Sequence, residues 1–234
     1  MSGSPRELPV KERIPLKSIR RTMAQSMKAS VDNSALSQVT REIDMTALQQ
    51  SRKENLADKS KKTSLNTLVM AAVARTLPQH PMLNAELVDR EILVYDAVNL
   101  GMAVATPDGL IVVVIPGAHL MTLMELSAAI EAKVEKTRNG SLSLKDVEGG
   151  TFTVSNLGMY GIDTGFPIPR PPEAAILLVG EARAKPTVKD DEIVIREIAW
   201  FSLCYDHRII DGAMAATFLK DLDEFIGEPS TLFD

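Results

Sequence analysis

Ile193-Val194-Ile195-Arg196-Glu197-Ile198-Ala199-Trp200-Phe201-Ser202-Leu203-Cys204-Tyr205-Asp206-His207-Arg208-Ile209-Ile210-Asp211-Gly212 is a β-branched and aromatic run that ends in a polar turn and then a helix start. Ile193–Tyr205 reads as a long apolar strand with a break expected inside it. Asp211-Gly212 reads as the start of the last helix, because an aspartate there can accept from the first free backbone N–H groups. A strand-to-helix turn is a place where a rigid scaffold presents a side chain to a cleft, and His207 stands in this one.

The flanking segments extend the same strand-and-helix reading. Met214, Phe218, Leu222 and Phe225 share one face of the closing helix, which Gly227 and Pro229 stop. Upstream, Thr151–Val154 and Ala174–Val179 are strand-like. Leu100, Met102 and Val104 alternate as in a half-buried strand, whereas Leu110–Ile115 is continuously apolar, as in a strand covered on both faces. Thr106-Pro107-Asp108-Gly109 between them carries hairpin chemistry. Thr122 with Glu125 forms a capping-box signature ahead of a helix striped by Leu123, Leu126, Ile130 and Val134. Ser64 starts an apolar helix whose side chains wrap most of its circumference, so it is expected to be buried. Leu16, Ile19, Met23 and Met27 predict an amphipathic first helix, Ala35–Ile43 an extended segment, and Asp44 a cap for a helix running through Leu48 and Leu56. Strands and helices mix without strict alternation. The fold class is therefore α/β, a mixed sheet flanked by helices, in one domain from residue 13 to 234 after a linker-like stretch over 1–12.

Composition narrows the function classes. Hydrophobic residues make up 45% and charged residues 24% of 234, as in a globular core-forming chain. The net charge of −5, with 4% aromatics and no basic cluster, argues against nucleic acid as a partner. No apolar run is long enough to predict a membrane span. The one cysteine, Cys204, cannot form an internal disulfide and points to a reducing compartment.

Of the three histidines, His80 and His119 read as ordinary loop residues, and neither has a cysteine or carboxylate at ligand spacing, so no metal site is expected. On spacing alone the segment around His207 has two readings. It is a presented catalytic histidine, or a plain turn in which Asp206 and Asp211 cap, Arg208 makes a salt bridge and His207 is satisfied locally.

His207-x-x-x-Asp211-Gly212 resembles the motif shared by chloramphenicol acetyltransferases and the acyltransferase (E2) components of 2-oxo acid dehydrogenase complexes. The longer Asp206-His207-Arg208-Ile209-Ile210-Asp211-Gly212 is similar to the E2 form. Four further segments agree in order: Ile14-Pro15-Leu16-x-x-Ile19-Arg20, Glu42–Leu48 followed by Arg52, Ala105–Val112, and Gly149–Gly158. The resemblance spans residues 13 to 228. It implies a chloramphenicol-acetyltransferase-like fold and acyl transfer between the thiols of dihydrolipoamide and coenzyme A. It also implies a homotrimer that assembles into a larger cage and works with a lipoyl domain and the E1 and E3 enzymes. The compartment implied is cytoplasmic, or the mitochondrial matrix in a eukaryote.

Such a reaction needs a base, because a thiol of pKa roughly 8.5 is a few per cent thiolate at neutral pH. The resemblance assigns the base to His207 and the donor to the tetrahedral oxyanion to Ser155, the two meeting across a subunit interface. Asp211 belongs to the same motif, with a role in holding loop geometry rather than in proton transfer. Arg208 fixes the turn through a carboxylate. Cys204, inside an apolar strand, is set aside as an acyl-carrying nucleophile. Matching family blocks residue by residue puts Arg52, Ser64, Ser155, Asn156 and Gly180 on coenzyme A.

The chain departs from the family at Val113, where members usually have proline, over Gly161–Arg170, and in the tail Ser230–Asp234. These departures bear on acyl specificity and cage type. No lipoyl or peripheral-subunit-binding domain lies in the sequence, as in an excised or stand-alone core. The acyl group itself, whether acetyl, succinyl, branched-chain or acetoin-derived, is not readable. Two other functions compete: an O-acetyltransferase of the chloramphenicol type, and a non-catalytic scaffold core.

Overall fold

The computed structural model describes residues 9–16, 18–55, 63–106 and 109–232. In chain order it has α1 (Ser18–Asn33), β1 (Leu36–Asp44), α2 (Thr46–Asn55), α3 (Leu65–Thr76), β2 (Ala85–Val88), β3 (Glu91–Val94), β4 (Leu100–Thr106) and β5 (Gly109–Ile115). There follow α4 (Leu123–Arg138), β6 (Phe152–Asn156), β7 (Ala175–Val179), β8 (Arg183–Lys189), β9 (Glu192–Asp206) and α5 (Gly212–Gly227). The main sheet runs β1-β9-β7-β6-β4-β5, with β8 paired to the first half of β9. Only the β7–β6 and β6–β4 pairings are parallel, so the sheet is mixed, as expected. Among the described residues, no helix is long and apolar enough to cross a membrane.

β9 runs unbroken for 15 residues, which corrects the expected interruption. Its first half pairs with β8 in an exposed hairpin, and its second half lies between β1 and β7 inside the sheet. The polar pair Arg196-Glu197 sits where the strand passes from one setting to the other. There the Glu197 N–H donates to Thr46 Oγ1 (2.9 Å) and its carbonyl accepts from the Met45 N–H (2.7 Å), so the ladder continues. β5 corrects a second expectation. It is the last strand of the sheet, and only its end at Val113, Val114 and Ile115 is covered, while Leu110 is exposed. β2, β3 and β8 lie outside the strands expected: β2 and β3 are four residues each, too short to show a period, and β8 alternates Ala184, Pro186 and Val188 with polar residues but carries a proline at its centre.

Sheet side chains such as Phe152, Val154, Leu177, Phe201 and Leu203 form one core with Leu48 of α2, the buried α3, Ile130 of α4 and Phe218 and Leu222 of α5. Each such fully buried large side chain contributes about 2 kcal/mol. On α5 the buried face includes Ala215, Leu219 and Ile226, whereas Met214 of the expected stripe is exposed. The opposite sheet face is covered by the irregular segment 157–174. Gln38 donates to the Gly165 carbonyl (3.0 Å), and the hydroxyls of Thr164 and Ser202 are 2.8 Å apart. α1 joins this side through the buried Ser30 hydroxyl, which donates to the Pro169 carbonyl (2.7 Å). Leu16 and Met23 of the expected α1 stripe are exposed in the single chain, and the side chain of Ile19 lies outside the described residues, as does Leu56 of the expected second helix. Helix starts are capped by the residues expected: Ser64 on α3, the Thr122–Glu125 box on α4 and Asp211 on α5, with Asp44 accepting from Thr46 N–H (2.9 Å) ahead of α2.

Candidate active site

The residues that carry chemistry gather at two places on the sheet. At the end of β9, Asp206 is buried and anchors the turn. Its carboxylate accepts from Arg208 Nε and Nη2 (3.0 and 2.6 Å) and from the N–H groups of Arg208 and Ala35 (3.0 and 3.2 Å). Burial alone would raise the Asp206 carboxyl. The Arg208 guanidinium and the two N–H donors outweigh it and hold the group below its usual range. The next residue, His207, gives its N–H to the Ala35 carbonyl (2.8 Å), so its backbone is tied to the start of β1. Its imidazole is exposed, lies 5.7 Å from the Tyr205 ring, and has no hydrogen-bond partner among the described residues. Asp211 spends one oxygen capping α5, accepting from Met214 N–H (2.8 Å). A pinned turn thus presents to the outside an imidazole that packs near Tyr205 and has no hydrogen-bond partner among the described residues.

The second place is a cavity of about 620 Å³ at the end of β6. Ser155, Asn156 and Gly180 all line it, in mainly apolar surroundings that include Met102 and Leu65. Asn156 is fixed at both ends of its amide: Oδ1 accepts from Gly158 N–H (3.0 Å), and Nδ2 donates to Asn66 Oδ1 (3.2 Å). At Gly180 a Cβ would stand 1.9 Å from the Asp163 carbonyl oxygen, so glycine is required for the 161–163 loop to close over the strand end.

The single chain does not bring the two places together. Ser155 lies opposite Leu178, and Leu178 opposite Ser202. From Ser202 to the strand end at Asp206 is about 13 Å, and crossing two strands adds about 10 Å sideways, so Ser155 is about 16 Å from Asp206, where the turn that carries His207 begins. Nor do Arg52 and Ser64 line the cavity. Arg52 Nε donates to the Thr63 carbonyl (3.1 Å), and Ser64 caps α3, whose next two residues, Leu65 and Asn66, form part of the cavity wall.

The remaining candidates resolve into structure. Cys204 is fully buried, and burial pushes its thiol up to about 12, which suits packing rather than nucleophilic attack. His80 is not the solvated loop residue expected. It is nearly buried, 3.0 Å from Asp221, and edge-on to Phe218. His119 Nδ1 accepts from Val98 N–H (3.3 Å). Sequence reasoning missed Asn66 and Glu173. Asn66 had a signal, as the one amide in the first turn of an apolar helix. Glu173 had none. Its side chain is fully enclosed, accepts from Thr153 Oγ1 (2.5 Å), and lies 3.5 Å from Arg170 Nε.

The family model for 2-oxoacid dehydrogenases acyltransferase (catalytic domain) matches residues 9–233. A curated relative, the acetyltransferase component of the acetoin cleaving system of Bacillus subtilis (strain 168), is 35% identical over 225 residues, covering 94% of this chain and 56% of the relative. The chain spans little more than half the length of such relatives. Two solved structures superpose with a TM-score of 0.90 at 30% identity, covering 99% of this chain and all of the other. One is the cubic core of a pyruvate dehydrogenase multienzyme complex. The other is the Azotobacter vinelandii dihydrolipoamide acetyltransferase, studied for the role of a serine, a histidine and an asparagine in its catalytic mechanism. A chloramphenicol acetyltransferase at 13% identity (TM-score 0.54, covering 86% of this chain and 94% of the other) shares the fold.

Proposed function

This chain belongs to the 2-oxoacid dehydrogenase acyltransferase (catalytic domain) family, and on that premise we propose that it transfers an acyl group between dihydrolipoamide and coenzyme A. His207 acts as general base and Ser155 as oxyanion donor, in a site completed by a second copy. The observation that carries the reading is the separation itself. Ser155 opens into a cavity whose lining holds no histidine, and His207 projects from a rigid turn about 16 Å away with no hydrogen-bond partner on its ring among the described residues. Two half-sites on one chain make a whole site between two chains. The Azotobacter relative adds support, since its studied serine, histidine and asparagine stand 52 and 4 positions apart, the same separations as Ser155, His207 and Asp211.

His207 takes the proton of the coenzyme A thiol as its sulfur attacks the carbonyl carbon of the acyl-dihydrolipoamide thioester. The C–O double bond becomes a single bond to an oxyanion, which the Ser155 hydroxyl stabilises by donating a hydrogen bond. Collapse breaks the bond to the dihydrolipoamide sulfur, and the imidazolium returns the proton to that thiolate. Asp211 keeps the turn in register by capping α5. Arg52, Ser64, Asn156 and Gly180 hold coenzyme A together with Ser155. The working assembly is a homotrimer within a larger cage, served by a lipoyl domain and by E1 and E3. The cubic core of the pyruvate dehydrogenase relative supports a cage, and the exposed apolar face of the β8–β9 hairpin (Val188, Ile193, Ile195) supports self-association.

Subunit mixing tests this. His207→Ala and Ser155→Ala proteins are each expected to lose acyl-CoA:dihydrolipoamide transfer by ~10²-fold or more. Random reassembly of equal amounts gives about one quarter of the interfaces both intact residues, and so about one quarter of wild-type activity. Mixtures that stay as inactive as their parents would show that the two residues do not meet between chains.

A further inference from the structure

Asn66 occupies the first turn of α3, a helix with nine of its twelve residues buried, and faces the same cavity as Ser155 and Asn156. The direction of its hydrogen bonds follows from one fixed donor. The Gly158 N–H can only donate, so the group of Asn156 that meets it at 3.0 Å is Oδ1. Asn156 Nδ2 therefore faces Asn66 and donates to its Oδ1 at 3.2 Å. That leaves Asn66 Nδ2 pointing to the Met102 sulfur at 3.4 Å. One amide on a helix thereby ties two neighbouring strands, β6 and β4, at the residue that immediately follows Ser155.

The sheet side of the same turn is held differently. Leu157 N–H donates to the Val179 carbonyl (3.0 Å), and Gly158 lies so close to Gly180 that a Cβ would stand 2.7 Å from its carbonyl oxygen. Main-chain contacts thus fix the turn from the β7 side. On the helix side, the side-chain tie among the described residues is Asn66.

We propose that Asn66 is a positioning residue for Ser155: it holds Asn156, and through it the end of β6, so that the Ser155 hydroxyl stays where an oxyanion would form. The proposal rests on the reading of Ser155 as the oxyanion donor. A displacement of about 1 Å in such a group can cost as much as ~10²-fold in rate, so a loosened turn is expected to lower kcat about tenfold without abolishing it.

The test is a double-mutant cycle on the assembled protein, with kcat, KM for coenzyme A and Tm measured for each variant. Asn66→Ala is expected to lose about tenfold in kcat and, because Asn156 also faces coenzyme A, to raise KM for coenzyme A by a smaller factor. Asn66→Asp keeps an acceptor for Asn156 Nδ2 and is expected to retain most of the activity. In a Ser155→Ala background, Asn66→Ala is expected to cost nothing further, because the group it positions is gone. Should Asn66→Ala fail to assemble, Asn66→Leu removes the acceptor at similar volume and completes the cycle. Unchanged kcat in the removal variant, or the same tenfold loss with and without Ser155, would overturn the proposal. Near-wild-type turnover of Ser155→Ala alone would instead overturn the reading of Ser155 on which it rests.

Discussion

Glu173 stands just ahead of β7 with its carboxyl shut away from solvent, and Glu173→Gln is the substitution whose effect can be worked furthest. Burial pushes the group from its ordinary 4.5 up to about 7, against smaller lowering effects from the Thr153 hydroxyl and the Arg170 guanidinium. A carboxyl raised on folding binds its proton more tightly in the folded chain than in the unfolded one. Its contribution is fully present below about pH 4.5 and is lost as pH rises to about 7. At roughly 1.4 kcal/mol per pH unit, that interval is worth about 3 kcal/mol. Glutamine has the same shape and can still bond Thr153, but it does not titrate. Wild type is therefore expected to lose about 3 kcal/mol relative to Glu173→Gln between about pH 4.5 and about pH 8. Urea unfolding at equal protein concentration, fitted with a common m-value at several pH values, measures the difference directly, and subtracting the two proteins cancels every other titrating group. Two stability curves running parallel across that range would refute the reasoning.

Other outcomes follow from the same geometry. Gly180→Ala sets a methyl against the Asp163 backbone, which cannot swing aside as a flexible side chain could; Tm is expected to fall by the equivalent of about 1–3 kcal/mol, with KM for coenzyme A raised. Asp211→Asn keeps a good N-cap, so stability and turnover are expected near wild type, whereas Asp211→Ala costs about 1 kcal/mol in unfolding measurements. A hundredfold loss of kcat in Asp211→Asn at unchanged Tm would instead give that carboxylate a part in proton transfer.

Much of this protein was readable from its residues because the signals were local. The Thr122–Glu125 box, the Ser64 cap and the Asp211 cap depend on groups three residues apart, and each forms as expected. The burial of α3 follows from apolar residues around most of its circumference, and the turn holding His207 follows from a long apolar run ending in Asp206. His207 and Ser155 could be named from ordered motifs, although spacing alone left His207 evenly divided between a presented and a satisfied histidine.

What the tertiary structure decided depends on partners distant in sequence. No local pattern says that the Arg196-Glu197 pair will be absorbed into one unbroken strand; that needs Met45 and Thr46 on the neighbouring chain segment. His80 looks like a loop residue until α5 brings Asp221 and Phe218 against it. Glu173 becomes a titrating group near neutrality only because strand pairing encloses it beside Thr153. The resemblance implies that Ser155 and His207 meet between subunits, and it is sheet order that sets Ser155 about 16 Å from Asp206, the residue before His207, within one chain. Caps and periodicity are set within a few residues of chain, whereas enclosure, ion pairing and the distance between the two proposed catalytic residues are set by which strands lie side by side.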